Sequence, residues 1–253
     1  MGGTARVFES KRSGRDYGGG SFGAALGHFG HFDPLRPAAN TAQFIQEEKV
    51  WQRESAGARV RVLARGPLRV IAEVDWSGPP GRAHQTYEFR AFSPALWVES
   101  IVVPAPQLAK SWRTGDEIVV LDARLQKQHW TKIFPNFTGI PVSEERPHGG
   151  WRQVPFVPPV ATLLQPMAFQ ESLSFILLEA ENLDLFRQGF WPDRRPQAGL
   201  IRWAEIEYAT TRPEKARVKV LLVFHEGKPT EGQRIATQPT LLVQGERVQA
   251  SGG

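Results

Sequence analysis

Polar and apolar residues alternate along most of the segment from 58 to 103. Alternation with a period of two indicates β-strands that bury one face, because successive side chains of a strand lie on opposite sides. The alternation is interrupted at 66–67, 77–82 and 93–94, where the sequences GP, SGPPGR and SP favour tight turns. The segment therefore predicts four antiparallel strands that are joined by short turns and form a meander.

Segments with strand character continue through the second half of the chain. They are 117–121, 129–134, 151–157, 160–164, 173–180, 200–208, 216–224 and 241–243. The run 173–180 is almost continuously apolar, which predicts a strand that is buried on both faces. The best helical candidate is 38–50, but its apolar residues are so poorly spaced that an extended conformation is nearly as favourable. A sheet of about a dozen strands normally divides into two packed layers, so we expect an all-β fold, a large antiparallel two-layer β-sandwich.

The alternation also predicts which side chains form the core. On the strand after 66–67, Val74 and Trp76 share one face, and Glu73 and Asp75 share the other. The residues that we expect to be buried lie on the apolar side of a strand or in a continuous apolar run: Val70, Val74, Phe89, Val98, Ile176, Leu178, Val220 and Leu222.

The composition is that of one folded all-β domain. The 253 residues are 41% hydrophobic and 23% charged, with 24 glycines and 20 prolines available for turns. We expect a single sandwich over 1–253, in which 1–45 is a loop-rich N-terminal segment. The absence of cysteine excludes disulfides, thiolate metal sites and a cysteine nucleophile.

The net charge of +5 and the pI of about 9.7 are compatible with an acidic partner, such as nucleic acid, an anionic membrane or an acidic polysaccharide. The basic residues form no runs and no nucleic-acid-binding motif accompanies them, so we expect no nucleic acid partner. No apolar run approaches the ~20 residues of a membrane span, so we expect no membrane partner. Residues 1–20 lack the apolar segment of a secretory signal. A complete chain would be cytoplasmic, whereas a fragment could come from a secreted protein.

Three motifs of the meander resemble a known family. They are Gly-Pro-Leu-Arg at 66–69, Gln-Thr-Tyr-Glu-Phe-Arg at 85–90, and the segment 93–99 from Ser-Pro to Glu. Their order resembles the large β-sandwich, or supersandwich, of carbohydrate-active enzymes: the C-terminal sandwich of α-mannosidase-type glycoside hydrolases and rhamnogalacturonan-lyase-like proteins. Later segments, 140–156, 174–183 and 231–243, are similar in order but match more loosely.

The resemblance implies a galactose-mutarotase-like supersandwich with a carbohydrate-related function. The chain would be a polysaccharide lyase, a glycoside hydrolase, or the sandwich domain of one, partnered by a catalytic domain missing from this chain. In the mannosidase-type enzymes the metal and nucleophile lie in a separate catalytic domain, which nothing in this sequence matches. A non-catalytic carbohydrate-binding or scaffold domain is therefore the alternative.

The strand that begins at His84 carries titratable groups on one face. Residues two apart on a strand share a face, so His84, Glu88 and Arg90 follow one another along it. Histidine transfers protons near neutral pH, a carboxylate can act as acid or base, and a guanidinium can neutralise a uronate carboxylate. We predict these three residues as catalytic if the face is concave. On a convex face, Glu88 and Arg90 would instead pair with charges on adjacent strands.

Two later segments are candidates for sugar binding. His129 and Trp130 lie in QKQHWTK, and Trp151 and Arg152 lie in HGGWRQ. Aromatic rings cover the apolar side of a sugar, and His or Arg binds its hydroxyl and carboxylate groups. We predict these four residues as substrate-binding groups for a polysaccharide or oligosaccharide, neutral or anionic.

No metal site and no cofactor are predicted. His28, His31 and Asp33 could ligate a metal, but a loop rich in Gly, Phe and His is the simpler interpretation of that spacing. The glycines at 18–20 lack the lysine and the following helix of a phosphate-binding loop.

Overall fold

The described part of the chain is almost entirely β-strand. The computed structural model describes residues 9–10, 15–16, 41–46, 49–52, 58–91, 93–125, 130–135, 149–154, 161–166, 171–192, 201–226, 241–243 and 246–248, with side chains over 58–91, 93–123, 125, 149, 172–190 and 206–225. The strands are β1 (Glu9–Ser10), β2 (Arg15–Asp16), β3 (Thr41–Gln46), β4 (Lys49–Gln52), β5 (Ala58–Arg65), β6 (Arg69–Gly78), β7 (Gly81–Arg90), β8 (Ala95–Pro104), β9 (Glu117–Leu125), β10 (Trp130–Pro135), β11 (Gly150–Val154), β12 (Ala161–Pro166), β13 (Glu171–Glu181), β14 (Leu185–Pro192), β15 (Ile201–Thr210), β16 (Ala216–Glu226), β17 (Leu241–Val243) and β18 (Glu246–Val248). A short helix, α1 (Pro106–Lys110), follows β8.

A 14-stranded antiparallel sheet forms the body of the protein and folds over on itself. Its order is β4-β3-β9-β15-β10-β12-β13-β16-β8-β7-β6-β5, and β14 pairs with both β15 and β11. We call β13, β16, β8, β7, β6 and β5 the first layer, and β4, β3, β9, β15, β14 and β11 the second layer. The layers face each other, since the Ser100 hydroxyl on β8 donates a hydrogen bond to the Val120 carbonyl on β9 at 2.6 Å. The predicted all-β antiparallel sandwich is confirmed.

The core lies between the two layers and is built from alternate residues of each. Val98 and Val220 come from the first layer, and Ile206 and Tyr208 come from the second, and none is more than 1% exposed. The Tyr208 ring packs on Phe186 with a centroid distance of 4.9 Å. Each large apolar side chain buried in this way contributes about 1.5–3 kcal/mol relative to exposure.

The predicted meander over 58–103 is also confirmed. β5, β6, β7 and β8 are neighbours in chain order, and a two-residue loop, Pro79-Pro80, joins β6 to β7. Along β7, residues 83, 85 and 87 are buried and residues 84, 86 and 88 are half-buried, as alternation requires. One face of the meander therefore belongs to the core and the other lies on the outside of the sandwich.

Five of the eight predicted core residues are confirmed, whereas Phe89 and Leu178 are exposed and Val70 is only half-buried. Phe89 is 48% exposed because it lies near the end of β7, where its partner Val70 is also only half-buried and the core ends. Leu178 is 40% exposed because a bulge between Leu177 and Glu179 takes it out of the pairing with β16. The buried positions are Val74, Val98, Ile176, Val220 and Leu222.

The candidate helix at 38–50 contains two strands instead. β3 and β4 are extended and pair with each other, with Phe44 opposite Trp51. Within the part of the chain that the structure describes, no helix is long and apolar enough to cross a membrane.

Candidate functional site

The outer face of the first layer carries a row of polar residues across the meander. Ala83 on β7 is buried in the core, so the next residue, His84, lies on the outer face. The register places His84 opposite Asp75 on β6 and opposite Ile101 on β8. Asp75 in turn lies opposite Arg59 on β5. Directly opposed residues share a face of the sheet, so these side chains form one row across four strands.

This row borders a groove with a volume of about 770 Å³ near the Pro79-Pro80 loop. Its size falls within the ~300–1,000 Å³ of small-molecule sites. Ile101 and Val103 on β8 contribute an apolar part of its wall. The charged and imidazole groups that line it are Arg59, Arg61, Asp75, Arg82, His84 and Lys215.

The groove has a positive charge that its own residues do not neutralise. Four cationic side chains line it, against the single carboxylate of Asp75. Lys215 lies 3.6 Å from Glu181. Arg59 and Arg82 are exposed and form no ion pair with any side chain that the structure describes. Two guanidinium groups are therefore available to bind a carboxylate, sulfate or phosphate.

His84 is held between two carboxylates and a hydroxyl. Its Nδ1 lies 2.7 Å from Oδ1 of Asp75, and its Nε2 lies 3.2 Å from Oγ1 of Thr86. Oε1 of Glu73 lies 3.7 Å from the same Nε2. Arg61 donates from Nη2 to Glu73 at 3.0 Å and to Asp75 at 2.9 Å. The hydrogen bond with His84, together with the charges of His84 and Arg61, outweighs burial and lowers the pKa of Asp75. Asp75 is thus ionised at neutral pH and orients the imidazole.

The same network brings three potential metal ligands together. One ligand atom from each of Glu73, Asp75 and His84 lies within 4.8 Å of the others. Oxygen and imidazole ligands of this kind suit zinc and related cations. However, Arg61 already bonds both carboxylates, and the other cations of the groove repel a further positive charge. The electrostatics favour an anionic ligand over a metal.

Glu88 and Arg90 lie farther along β7, away from the groove. Glu88 accepts hydrogen bonds from Arg90 at 2.7 Å and from Arg69 at 2.8 Å. Burial tends to raise the pKa of Glu88, but these arginine contacts outweigh it and the pKa is lowered. Arg90 also stacks on Trp97, with its guanidinium carbon 4.0 Å from the ring centroid. At ~3.3 Å per residue, Arg90 lies about 20 Å from His84 along the strand. The structure therefore does not bring the three predicted catalytic residues into one sugar-sized site, and their catalytic role stays a prediction.

The predicted substrate-binding residues belong to other strands. His129 lies outside the described residues, and the side chains of Trp130 on β10 and of Trp151 and Arg152 on β11 do as well. Five strand spacings separate β10 from β7, about 24 Å along the sheet at ~4.8 Å each. Their role in sugar binding stays a prediction, and the groove is argued without them.

Sequence reasoning missed the cations that define the groove. Alternation placed Arg59 and Arg61 on the polar face of β5, but it did not show that this face is opposite Asp75 and close to His84. Lys215 arrives from the turn before β16, far away in the chain, and no local pattern marks it.

A second charged cluster lies in the second layer. Arg187 on β14 donates to Glu117 on β9 at 3.2 and 2.8 Å and to Glu207 on β15 at 2.6 Å. All three residues are buried. Burial raises the pKa of Glu117 to about 7; the Arg187 hydrogen bond opposes this shift and the charge of Glu207 adds to it. We call these three residues the buried triad.

No family model matches the chain, and no curated protein matches it in sequence. Among solved structures, a protein named for the aldose 1-epimerases from Klebsiella pneumoniae subsp. pneumoniae has a TM-score of 0.46 at 7% identity, covering 78% of this chain and 64% of that one. A family GH36 α-galactosidase from Geobacillus stearothermophilus has a TM-score of 0.43 at 9% identity, covering 82% and 32%. A heparan sulfate lyase from Pedobacter heparinus has a TM-score of 0.42 at 8% identity, covering 68% and 22%. The chain thus spans less than two thirds of the length of each of these carbohydrate-active proteins.

Proposed function

We propose that the chain is a saccharide-binding β-sandwich whose groove binds an acidic sugar. The observation that carries this proposal is the pair of exposed guanidinium groups, Arg59 and Arg82, in a groove of about 770 Å³. Arginine forms paired hydrogen bonds with planar or multi-oxygen anions, which gives both affinity and orientation. Ile101 and Val103 offer apolar surface for the hydrophobic side of a sugar ring.

The choice of a saccharide over other anions comes from the sequence. The motifs at 66–69, 85–90 and 93–99 resemble the sandwich domains of carbohydrate-active enzymes, and they build the meander that forms the groove. A uronate or a sulfated sugar combines an anionic group with an apolar ring face, and the groove offers a counterpart to each.

A binding function without catalysis agrees with the contacts that the titratable groups make. Both ring nitrogens of His84 already have hydrogen-bonding partners, Asp75 and Thr86. Glu88 is bonded to two arginines, and its lowered pKa keeps it ionised, so it is a poor proton donor. These groups fix the shape and charge of the outer face.

A polysaccharide lyase is the second candidate, and the His84–Asp75 contact of 2.7 Å favours it. The Nδ1–H group would donate its hydrogen bond to Asp75, which leaves Nε2 as the base that takes the C5 proton of a uronate. Arg59 or Arg82 would neutralise the sugar carboxylate. The C5–H electron pair would form the C4–C5 double bond as the C4–O bond breaks, and protonated Nε2 would return its proton to the leaving oxygen. Thr86 would have to release Nε2 for this step.

Calorimetric titration of the protein with uronate, sulfated and neutral oligosaccharides of matched length tests the proposal. We expect the acidic ligands to bind and the neutral ones to bind at least about tenfold more weakly, with an affinity that falls as salt is added. Equal binding of neutral and acidic sugars, or no binding of any, would contradict it. Appearance of unsaturated uronate absorbance during the titration would establish the lyase instead.

The variant Arg82→Ala is expected to weaken acidic-saccharide binding by about tenfold, because one charged hydrogen-bonding group is removed. The matched control is Arg65→Ala, an exposed arginine on β5 that does not line the groove. Its affinity should equal that of the parent protein. A similar loss in both variants would mean that only the net charge matters and that the groove is not the site.

A further inference from the structure

β5 is an edge strand of the first layer. It stands last in the sheet order, and within the described residues it pairs with β6 alone. Such an edge presents backbone N–H and C=O groups that can pair with another chain. A bulge between Val62 and Ala64 interrupts the pairing with β6, so the regular part of the strand is 58–62.

β5 also exposes large apolar side chains. Val60, Val62 and Leu63 are 58%, 57% and 55% exposed. Val60 lies directly opposite Val74, which is only 4% exposed. The core-facing side of β6 is therefore buried, whereas the same side of β5 is exposed. An apolar surface and an open backbone edge therefore occur together on one strand, which is a combination that natural edge strands usually avoid.

The charges of β5 are all positive. It carries Arg59, Arg61 and Arg65 and no acidic residue. Arg61 is bonded to Glu73 and Asp75, whereas Arg59 and Arg65 form no ion pair with the described side chains. The free cations favour a neighbouring strand that carries carboxylates, since opposite charges on adjacent strands stabilise the pairing.

A second copy of the same strand does not fit this edge. Residues on the same face must be opposed in an antiparallel pair, and three central registers satisfy this rule. Within the regular part 58–62 they place Arg59 opposite Arg59, Arg59 opposite Arg61, or Arg61 opposite Arg61. Like charges directly opposite each other destabilise a strand pair, so self-association through β5 is disfavoured.

We propose that the β5 edge binds an extended segment of another protein in which apolar residues alternate with Asp or Glu. The segment adds a strand next to 58–62, with main-chain hydrogen bonds to the open edge. Its apolar residues cover Val60 and Val62, and its carboxylates approach Arg59 and the neighbouring arginines. Backbone pairing supplies affinity and alternate side chains supply specificity, as in other cases of strand addition. Arg59 also lines the groove, so the two surfaces share this residue, but the strand partner does not depend on the saccharide proposed for the groove.

Fluorescence anisotropy with short labelled peptides tests the proposal on the full chain. The probes are an alternating Val/Glu peptide, an alternating Val/Lys peptide, and a peptide of the Val/Glu composition in which the residues are grouped in blocks. We expect the alternating Val/Glu peptide to bind at least about tenfold more tightly than the other two. Hydrogen exchange should slow at the backbone amides of β5 when that peptide is bound.

The variant Val60→Glu should lose this binding by about tenfold or more, because it adds a carboxylate and removes apolar surface. The control is Leu178→Glu, which also replaces an exposed apolar residue but on β13. It should bind like the parent protein. Any of four results would overturn the proposal. They are equal binding of the block peptide, unchanged binding by the Val60→Glu variant, slowed hydrogen exchange outside β5 instead of within it, and no binding of any peptide. A protein that sediments as a dimer through β5 would also overturn it, in favour of a second copy.

Discussion

Replacing Arg187 with methionine is expected to lower the free energy of unfolding by about 3–5 kcal/mol. Arg187 is 9% exposed and is the cation between Glu117 and Glu207, each 4% exposed. Without it, two carboxylates stay buried within reach of one another and have no opposite charge between them. Removing one partner of a buried ion cluster costs far more than breaking an exposed pair, because the remaining charges are left without solvation. Chemical denaturation at neutral pH measures the difference.

The control for this variant is Arg217→Met. Arg217 also bonds two carboxylates, Glu99 and Glu179, but its side chain is 31% exposed and water can replace the lost contacts. We expect a cost of about 0–1 kcal/mol. The triple variant Glu117→Leu, Arg187→Met and Glu207→Leu should recover much of the loss, because apolar residues of similar size can replace a buried ion cluster. Equal costs for Arg187→Met and Arg217→Met would show that the triad is accessible to water.

The sequence was sufficient to predict the meander because the information for it is local. Alternation and turn residues between 58 and 103 specify which residues form each strand, where the chain reverses, and which side of β6 carries Val74 and Trp76. Neighbouring strands in the meander are also neighbours in the chain. Their register therefore follows from the turns, and the row through His84 and Asp75 is a consequence of it.

The sequence did not predict features that depend on pairing between distant segments. Glu117 and Arg187 are separated by 70 residues, and only the positions of β9, β14 and β15 in the second layer bring them together. The exposure of Leu178 depends on a bulge opposite β16, and the continuous apolar pattern of the run 173–180 gives no sign of it. The groove is an intermediate case. His84 was identified from its strand, but Lys215 depends on the long-range pairing of β16 with β8.

Raising the pH from about 5 to 8 is expected to reduce the stability of the protein through Glu117. Burial raises the pKa of this carboxyl from 4.5 to about 7, since the effect of burial and of the Glu207 charge exceeds that of the Arg187 hydrogen bond. Between these two values the folded protein retains a proton that the unfolded chain has released. The folded state therefore binds more protons, and the free energy of unfolding falls as the pH rises through this window. This pKa difference between the unfolded and the folded protein lowers the free energy of unfolding by about 3 kcal/mol once the pH is above both pKa values.

The variant Glu117→Gln removes the titrating group and keeps nearly the same shape. Its own stability at a single pH is not the informative quantity, since the amide also changes the hydrogen bonds to Arg187. The informative quantity is the difference in unfolding free energy between the variant and the parent, measured by denaturation at several pH values. We expect this difference to shift in favour of the variant by about 2–3 kcal/mol between pH 5 and 8. The control Glu179→Gln removes an exposed carboxylate whose pKa is lowered by its hydrogen bond with Lys219, so it should produce no shift in this direction. A difference that stays constant with pH in Glu117→Gln would mean that Arg187 keeps Glu117 ionised throughout, and that the triad carries both negative charges at every pH in this range.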